Sequence, residues 1–299
     1  MKKFTEIEWE NVHCHLCGKK NNFSPISLHG SPLKQGQFGY KIHPVICKCG
    51  LVFLTPRWSA CTYARFYEKY YDELYRLELK PDYGVEGVIR NMAQVWERSL
   101  AGVDRPNRIM NIIDIGCGAG HGLTYLKEQV PNAGIYGIEA SPDCCRVLQT
   151  EVGAVLVDSD VNGPWLNSYK GKFDFVVMRH VVEHLLSPID TLSNLKTVLA
   201  PGGMIYIAVP DMMHPRTVLR DYEYWWEYYF RAVHPYYYCR ETLFSTLEAA
   251  GLYPRIWGEE NEEVWCLAGT KEVDRKRQTN LFSDQLAVLS RYLPGPQKI

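Results

Sequence analysis

The stretch IMNIIDIGCGAGHG, residues 109–122, decides the fold of this chain. Apolar residues lead to an aspartate, Asp114, and glycines then occupy every second position from Gly116 to Gly122. An apolar run that ends in a glycine-rich turn is typical of a buried strand followed by a loop whose backbone can approach a ligand closely. The spacing of the glycines indicates which ligand that loop can hold.

This spacing excludes two common phosphate-binding loops. A dinucleotide fingerprint, G-x-G-x-x-G/A, needs a third small residue where this chain has His121, and a P-loop needs Gly-Lys-Ser/Thr, which the sequence lacks. Asp114 would also repel a pyrophosphate, because like charges destabilise each other in a turn of low dielectric. The pattern therefore favours a ligand with a cationic end.

Downstream of this stretch, short apolar runs alternate with helical segments. Such alternation is typical of βαβ units and predicts a parallel sheet covered by helices on both faces. The strand candidates are 109–115, 135–138, 155–157, 173–178, 204–209, 253–258 and 264–269. The helix candidates are 123–130, 142–151, 189–199, 240–252 and 281–293.

Several ordered motifs give this part of the chain a family resemblance. DIGCGAG at 114–120 resembles motif I of the class I S-adenosylmethionine-dependent methyltransferases, and the likeness extends over about residues 105–270. It implies an α/β fold with a Rossmann-like seven-stranded sheet and S-adenosyl-L-methionine as the cofactor. The later motifs that agree are IYGIEA at 135–140, VLVDSDV at 155–161, FDFVVMRHVVEHL at 173–185 and LAPGGMIYIAVPD at 199–211.

The same resemblance implies which residues hold the cofactor. Glu139 would bind the two ribose hydroxyls, since one carboxylate can accept two hydrogen bonds from a vicinal diol. Asp158 and Asp160 both stay candidates for binding the adenine amino group. The complete set of cofactor-binding candidates is Asp114, Gly116, Gly118, Gly120, Glu139, Asp158, Asp160 and Arg179.

Four cysteines near the N-terminus form two close pairs, Cys14 with Cys17 and Cys47 with Cys49. The first residues show no apolar signal segment, so ten cysteines argue for reduced thiols or a bound metal rather than for disulfides. Two turns that each present two thiolates can close a tetrahedron around a structural Zn²⁺. The second pair is C-x-C instead of C-x-x-C, which leaves room for one histidine ligand. The histidines that could replace one sulfur are His13, His15 and His43.

The cysteine motifs carry a resemblance of their own. CHLCG at 14–18 and CKCGLVFLTPR at 47–57 resemble the N-terminal module of a bacterial subgroup that methylates sugars, often nucleotide-linked, although that subgroup has C-x-x-C-G in the second motif. The likeness implies a small, sugar-linked acceptor as the substrate. The expected organisation is a zinc-ribbon module at 1–56, a helical lid or connector at 57–104, a methyltransferase domain at 105–270, and a linker with one helix at 271–299.

Two histidines are candidates for the base that methyl transfer to a hydroxyl requires. His180 follows a strand at the edge of the sheet where ligands bind in doubly wound folds. His234 lies in the aromatic segment 221–238, which the family places over the acceptor. Related sugar C-methyltransferases have Tyr-x-x-His here, and this chain has Arg231 in place of the tyrosine. That difference favours O- or N-methylation.

Two further interpretations stay open. The H-x-x-E-H pattern at 180–184, together with His234, resembles the metal-binding array of some small-RNA 2′-O-methyltransferases and of a ubiquinone-pathway methyltransferase, whose first position is normally Glu. A divalent metal there would polarise the hydroxyls of a diol. Alternatively, Glu183 and His184 are structural braces. An inactive scaffold is the non-enzyme hypothesis, and the intact glycine loop and Glu139 argue against it.

Charge and hydropathy limit the partners. Lys plus Arg (33) nearly balance Asp plus Glu (34), so no dominant basic surface points to nucleic acid. No apolar run is long enough to span a membrane, and we expect a cytoplasmic protein with a small-molecule substrate. The tyrosine-rich segment 63–80 is expected to form a helix that either packs on the domain or covers the cleft.

Overall fold

The structure, a computed structural model, describes residues 6–20, 22–26, 42–71, 85–100, 109–213, 231–260 and 262–292. Its helices are α1 (Ala60–Lys69), α2 (Val85–Leu100), α3 (His121–Gln129), α4 (Pro142–Val147), α5 (Trp165–Ser168), α6 (Pro188–Lys196), α7 (Arg240–Ala249) and α8 (Leu281–Tyr292). Its strands are β1 (Trp9–Glu10), β2 (Phe23–Pro25), β3 (Pro44–Cys47), β4 (Val52–Leu54), β5 (Arg57–Trp58), β6 (Asn111–Ile115), β7 (Gly134–Ile138), β8 (Val155–Asp158), β9 (Phe173–Arg179), β10 (Leu199–Pro210), β11 (Tyr236–Tyr237), β12 (Tyr253–Glu260) and β13 (Glu263–Gly269).

A seven-stranded mixed sheet is the centre of the fold, with the order β12-β13-β10-β9-β6-β7-β8. The five strands from β10 to β8 are parallel, and β13 lies antiparallel between β10 and β12. The predicted α/β, Rossmann-like seven-stranded fold is confirmed. Its strands are nearly continuous apolar runs because helices cover both faces of a parallel sheet.

The order of the strands places a crevice at one edge of this sheet. β6 pairs with β7 on one side and with β9 on the other, so the strand order reverses at β6. Ligands of doubly wound folds bind outside the carboxyl ends of the strands at such a switch point. The residues that follow β6, β7, β8 and β9 therefore face a common site.

Several element boundaries differ from the sequence prediction. The helix predicted at 142–151 is α only to Val147 and continues as a wider π turn, Leu148–Val152, which ends at Gly153 with φ +66°. The helix predicted at 189–199 is α6, and it ends at Lys196. β10 begins at Leu199 rather than at 204, because Leu199 already pairs with Phe173 of β9; the register shifts between Leu199 and Met204, where the pairing continues with Phe175.

The first cysteine pair lies before β2, and the second pair lies at the end of β3, in another, four-stranded sheet of order β11-β4-β3-β2. Its last strand, β11, comes from a distant part of the chain and pairs antiparallel with β4 through Tyr236 opposite Phe53. Phe53 belongs to the same hydrophobic cluster as Val176 in the middle of the large sheet. The N-terminal strands are therefore packed against the segment that follows His234.

The first helix buries an aromatic face, as the tyrosine spacing predicts. The Ser59 hydroxyl accepts a hydrogen bond from the Thr62 N–H and caps α1. Tyr63 and Phe66 pack on Trp58, with ring centroids 5.5 and 5.3 Å away. The rest of the predicted segment, 72–80, lies outside the described residues. Among the helices that the structure describes, none is both long enough and apolar enough to cross a membrane.

Candidate functional site

The glycine loop after β6 has three residues with positive φ: Gly116 (+76°), Gly118 (+56°) and Gly120 (+82°). A Cβ on Gly116 would lie 2.8 Å from Val181 Cγ2, and one on Gly120 would lie 2.3 Å from Leu148 Cδ1. A Cβ on Gly118 would meet nothing within 4 Å. Gly116 and Gly120 are therefore required by the protein's own packing, and Gly118 is the glycine that opens onto the space a ligand would fill.

Glu139 lies directly beside that open position. One carboxylate oxygen, Oε2, accepts a hydrogen bond of 2.8 Å from the Gly118 N–H, and Oε1 accepts one of 2.8 Å from the Ser141 N–H. The Ser141 hydroxyl caps α4, whose first residue is Pro142, and this fixes the turn after β7. Since a carboxylate oxygen can accept more than one hydrogen bond, Glu139 can also receive ribose hydroxyls.

Asp114 is buried under the loop, with 7% of its surface exposed. Burial and then the negative charge of Glu139 raise its pKa to about 8, and the positive charge of Arg179 opposes the shift. A cationic ligand next to Asp114 would favour the ionised form. The electrostatics of the loop thus suit the sulfonium and ammonium groups of S-adenosylmethionine, and the cradle at Gly118 fits such a ligand.

The two aspartates after β8 form consecutive local turns. The Asp158 Oδ1 accepts hydrogen bonds from the N–H groups of Ser159 (2.7 Å) and Asp160 (3.1 Å), and the Asp160 Oδ1 accepts one from Asn162 (2.9 Å). The Asp158 carbonyl accepts a long bond, 3.4 Å, from the Glu139 N–H. The Asp158 backbone thus lies next to the ribose candidate, and both aspartates stay candidates for adenine.

Arg179, the last residue of β9, and His180, which follows it, converge on a carboxylate that sequence reasoning missed. Glu263 begins β13 and has a side chain only 3% exposed; its Oε1 contacts Arg179 Nη2 and lies 2.6 Å from His180 Nε2. Burial opposes ionisation of Glu263, but the hydrogen bond from His180 and the charge of Arg179 outweigh it and lower its pKa to about 2. The signal in the sequence was a glutamate at the start of the apolar strand EVWCLAG.

A second cluster forms around His234. The ligand atoms of Glu183, His184 and His234 all lie within 4.8 Å of one another, and the two imidazole rings are 4.6 Å apart in a T-shaped arrangement. His184 Nδ1 lies 3.0 Å from the Val233 carbonyl oxygen. Because a carbonyl only accepts, Nδ1 carries the hydrogen, and the lone pair is on Nε2, 4.0 Å from Glu183 Oε1. Tyr67 of α1 also contacts Nδ1, at 2.9 Å.

This cluster has the properties of a cation site. Glu183 is 2% exposed, and neither carboxylate oxygen has a hydrogen-bond partner among the described residues. Burial raises the Glu183 pKa to about 8, and burial together with the charge of Arg231 lowers the His184 pKa to about 3. A neutral imidazole whose other nitrogen donates to a backbone carbonyl is a typical metal ligand. His180 is bonded to Glu263 instead and lies outside this group.

The four cysteines converge in the small sheet. The Sγ atoms of Cys14 and Cys49 are 3.4 Å apart, those of Cys17 and Cys47 are 3.5 Å apart, and all four lie within 4.8 Å of one another. A tetrahedral zinc with Zn–S bonds of about 2.3 Å needs sulfurs about 3.8 Å apart, so the set fits Zn²⁺. His15 is not required as a ligand, because its Nε2 lies 3.0 Å from the Thr246 hydroxyl.

Between the two described arginines near the aromatic segment, Arg231 and Arg240, it is Arg231 whose charge acts on the site. It is 5% exposed, and its charge acts on His180, Glu183 and His184. Arg240 pairs with Glu241 and Glu259 instead. Two further arginines near this segment, Arg216 and Arg220, lie outside the described residues.

Comparison with known proteins agrees with this geometry. A family model described as a methyltransferase domain matches residues 86–255, more than half of the chain. The ubiquinone biosynthesis O-methyltransferase of Roseobacter denitrificans is 30% identical over 122 residues, which cover 39% of this chain and 47% of that protein. The trans-aconitate 2-methyltransferase of Rhodopseudomonas palustris is 28% identical over 123 residues, 40% of this chain and 43% of that protein.

The chain spans less than half of the length of either of these relatives. Among solved structures, a chain in the complex between the Haloferax volcanii Trm112 methyltransferase activator and a methyltransferase aligns with a TM-score of 0.50 and 14% identity. That alignment covers 70% of this chain and 98% of the other. At such low identity the likeness shows a shared fold.

Proposed function

This chain belongs to the methyltransferase-domain family, and on that premise we propose that it methylates a hydroxyl or amine of a small polar, sugar- or nucleotide-sugar-linked acceptor. The observation that carries the proposal is the position of Glu139, 2.8 Å from the N–H of Gly118, the loop glycine that opens onto empty space. S-adenosylmethionine, when bound, supplies an electrophilic methyl group and leaves as a neutral thioether.

The residues of the cleft then have separate tasks. Glu139 accepts hydrogen bonds from the ribose hydroxyls, and Asp158 or Asp160 accepts one from the adenine amino group. Asp114 stabilises the cationic end of the cofactor. His180 takes the proton of the acceptor: its side chain is 25% exposed at the carboxyl end of β9, so it can reach a substrate in the crevice. His234, 5% exposed, is the alternative base.

Two observations support a small acceptor. The names of both relatives refer to small-molecule chemistry. The sugar linkage rests on the likeness of the cysteine motifs to the sugar-modifying subgroup and on the convergence of all four sulfurs. In this proposal Cys14, Cys17, Cys47 and Cys49 hold one structural Zn²⁺, because four protein ligands leave no position for a substrate.

Titration with S-adenosylhomocysteine by calorimetry tests the cofactor assignment. Glu139→Ala removes the acceptor for two ribose hydroxyls, and hydrogen bonds to a charged group contribute about 1.5–3 kcal/mol each, so affinity should fall on the order of 100-fold or more. Glu128→Ala, an exposed position on α3, is the matched control and should bind like the wild type. Unchanged affinity in Glu139→Ala would refute the assignment.

The cluster around His234 supports a second candidate function, metal-assisted methylation of a diol. Glu183, His184 and His234 would hold a divalent cation that polarises the acceptor hydroxyls. Elemental analysis after dialysis against Mn²⁺ tests it: His234→Ala should lose one bound metal ion that Cys14→Ser retains. Equal Mn²⁺ content in the wild type and His234→Ala would exclude this candidate.

A further inference from the structure

Two residues with a left-handed backbone lie at or beside the contact between the His180 and Glu263 side chains. Among the described residues, the non-glycine residues with positive φ are His180 (+56°) and Glu262 (+64°). Each such residue costs on the order of 1–3 kcal/mol, a strain that persists where the surrounding structure over-determines it. His180 is one partner of the contact with Glu263, and Glu262 immediately precedes the other. Glu260 pairs directly with Glu263, so Glu262 lies in a two-residue hairpin turn, where positive φ is usual. The left-handed backbone of His180 is the strained position at the contact itself.

The backbone of His180 is held independently of its ring. Its N–H donates a 2.8 Å hydrogen bond to the Ala208 carbonyl and so extends the pairing of β9 with β10 by one residue. Because the φ of His180 is left-handed, β9 ends here, at the edge of the sheet that faces the crevice. The backbone is thus anchored in the sheet, and the orientation of the ring depends on what Nε2 contacts.

The partner of Nε2 is an ionised acceptor. The Glu263 side chain is 3% exposed and faces the positive charges of Arg179 and of Arg98, whose Nη1 lies 3.6 Å from Glu263 Oε2. A carboxylate has no hydrogen to donate, so the 2.6 Å contact requires His180 Nε2 to carry the hydrogen. The lone pair of the neutral ring is then on Nδ1, the nitrogen that Glu263 does not contact.

We propose that Glu263 is a positioning residue that fixes the ring and tautomer of His180 so that Nδ1 serves as the base for the acceptor; this rests on the function proposed above. In the reaction, a lone pair of the acceptor oxygen or nitrogen forms the bond to the methyl carbon. The carbon–sulfur bond breaks with its electron pair going to sulfur. The acceptor proton moves to His180 Nδ1, and the imidazolium formed lies against the Glu263 carboxylate.

A purely structural ion pair does not account for the arrangement. Arg179 and Arg98 already supply two cations to Glu263, so its charge is compensated without an imidazole. The left-handed His180 adds strain that simple charge compensation does not need. A buried carboxylate that orients a histidine and stabilises its protonated form is a recurrent catalytic arrangement.

The test is a titration of the His180 ring by ¹⁵N NMR in the full-length protein. Burial is the largest influence on the pKa of this ring and lowers it; Glu263 favours protonation, and the charges of Arg179 and Arg231 oppose it. In the wild type we expect the Nε2–H tautomer. In Glu263→Gln the pH of half-protonation should fall by about one unit or more, the tenfold change that one pKa unit represents. Glu260→Gln, which removes a neighbouring carboxylate bonded to Arg98, is the control and should leave it unchanged.

Two outcomes would overturn the proposal: an Nδ1–H tautomer in the wild type, or a titration of Glu263→Gln that matches the wild type. If Glu263→Gln does not fold, Glu263→Asp replaces it: the carboxylate is kept on a side chain one methylene shorter. The half-protonation pH of the His180 ring should then fall by a smaller amount. S-adenosylhomocysteine affinity, measured in parallel, separates the two claims. A wild type that does not bind it refutes the proposed function, whereas the titration decides the role of Glu263 in either case.

Discussion

At the scale of single residues, Asp114 shows how burial changes what a sequence motif implies. The sequence places a carboxylate at the end of β6 and favours a cationic ligand. The structure buries that carboxylate beside a second one, Glu139, and its pKa rises to about 8 as a result. Without a cationic ligand, the ionised form is therefore unfavourable in the folded protein.

Asp114→Asn should make the protein more stable at high pH and weaken cofactor binding. The folded-state pKa of about 8 lies above the ordinary value of 3.8, so the stability that protonated Asp114 contributes is complete below pH 3.8 and is lost as the pH rises through 8. At pH 9 the variant should gain several kcal/mol relative to the wild type, because stability is lost at about 1.4 kcal/mol for each pH unit between 3.8 and 8.

Thermal denaturation at pH 5 and pH 9, with calorimetry of S-adenosylhomocysteine, measures both effects. Asp190→Asn, at an exposed position on α6, is the control and should show neither. A gain in Tm that is the same at pH 5 and pH 9 would contradict the electrostatic explanation.

At the scale of elements, the glycine loop is shaped by the helix and turn packed beneath it. Gly120 precedes α3 with φ +82°, and the site of its missing Cβ is filled by Leu148, the first residue of the π turn after α4. Gly118, two residues earlier, meets no such neighbour. Packing therefore requires Gly120, and in the proposed function ligand binding depends on Gly118 instead.

Gly120→Ala and Gly118→Ala form a matched pair that separates these roles. Both introduce a Cβ at positive φ, which costs about 1–2 kcal/mol. Gly120→Ala also overpacks Leu148, which should add about 1–3 kcal/mol. We expect Gly120→Ala to lose more stability in urea denaturation and Gly118→Ala to lose more S-adenosylhomocysteine affinity relative to its stability. The reverse order would show that Gly118 does not line the cofactor site.

At the scale of the whole molecule, the cysteine sheet and the site around His234 are physically joined. β11 follows His234 and pairs with β4, and the Arg57 Nη1 donates hydrogen bonds to the Tyr236 hydroxyl (3.1 Å) and to the Leu186 carbonyl (3.2 Å). His15, between two of the cysteines, packs on Tyr236 with ring centroids 4.5 Å apart. The folding of the cysteine sheet should therefore affect the candidate acceptor site.

Cys14→Ser should lose one equivalent of zinc and a large part of the stability. The binding energy of a structural zinc is folding energy, so we expect a loss on the order of 3 kcal/mol or more. Elemental analysis and thermal denaturation measure the change, with Cys61→Ser, an exposed cysteine outside the cluster, as the control. Purified wild type that contains no zinc under non-chelating conditions would end the assignment.

The sequence by itself determined the features that depend on local pattern. Apolar runs alternating with helical periods define the parallel strands, and the glycines with Glu139 and the cysteine pairs predict two binding sites. These features can be read from the sequence because strand burial, positive φ and the spacing of metal ligands each depend on residues only a few positions apart. Because β6 and β7 are consecutive in the chain and pair in parallel, their carboxyl ends lie side by side.

Only the tertiary structure decided which distant side chains meet. His180 and Glu263 come together because β10 and β13 pair in the register that sets Pro210 opposite Glu263, next to the end of β9. Likewise, the strand pairing that packs β11 on β4 brings the segment of His234 to the N-terminal sheet. Such contacts depend on strand order and register, which no local pattern specifies, because the energy that selects them comes from burying whole elements against one another.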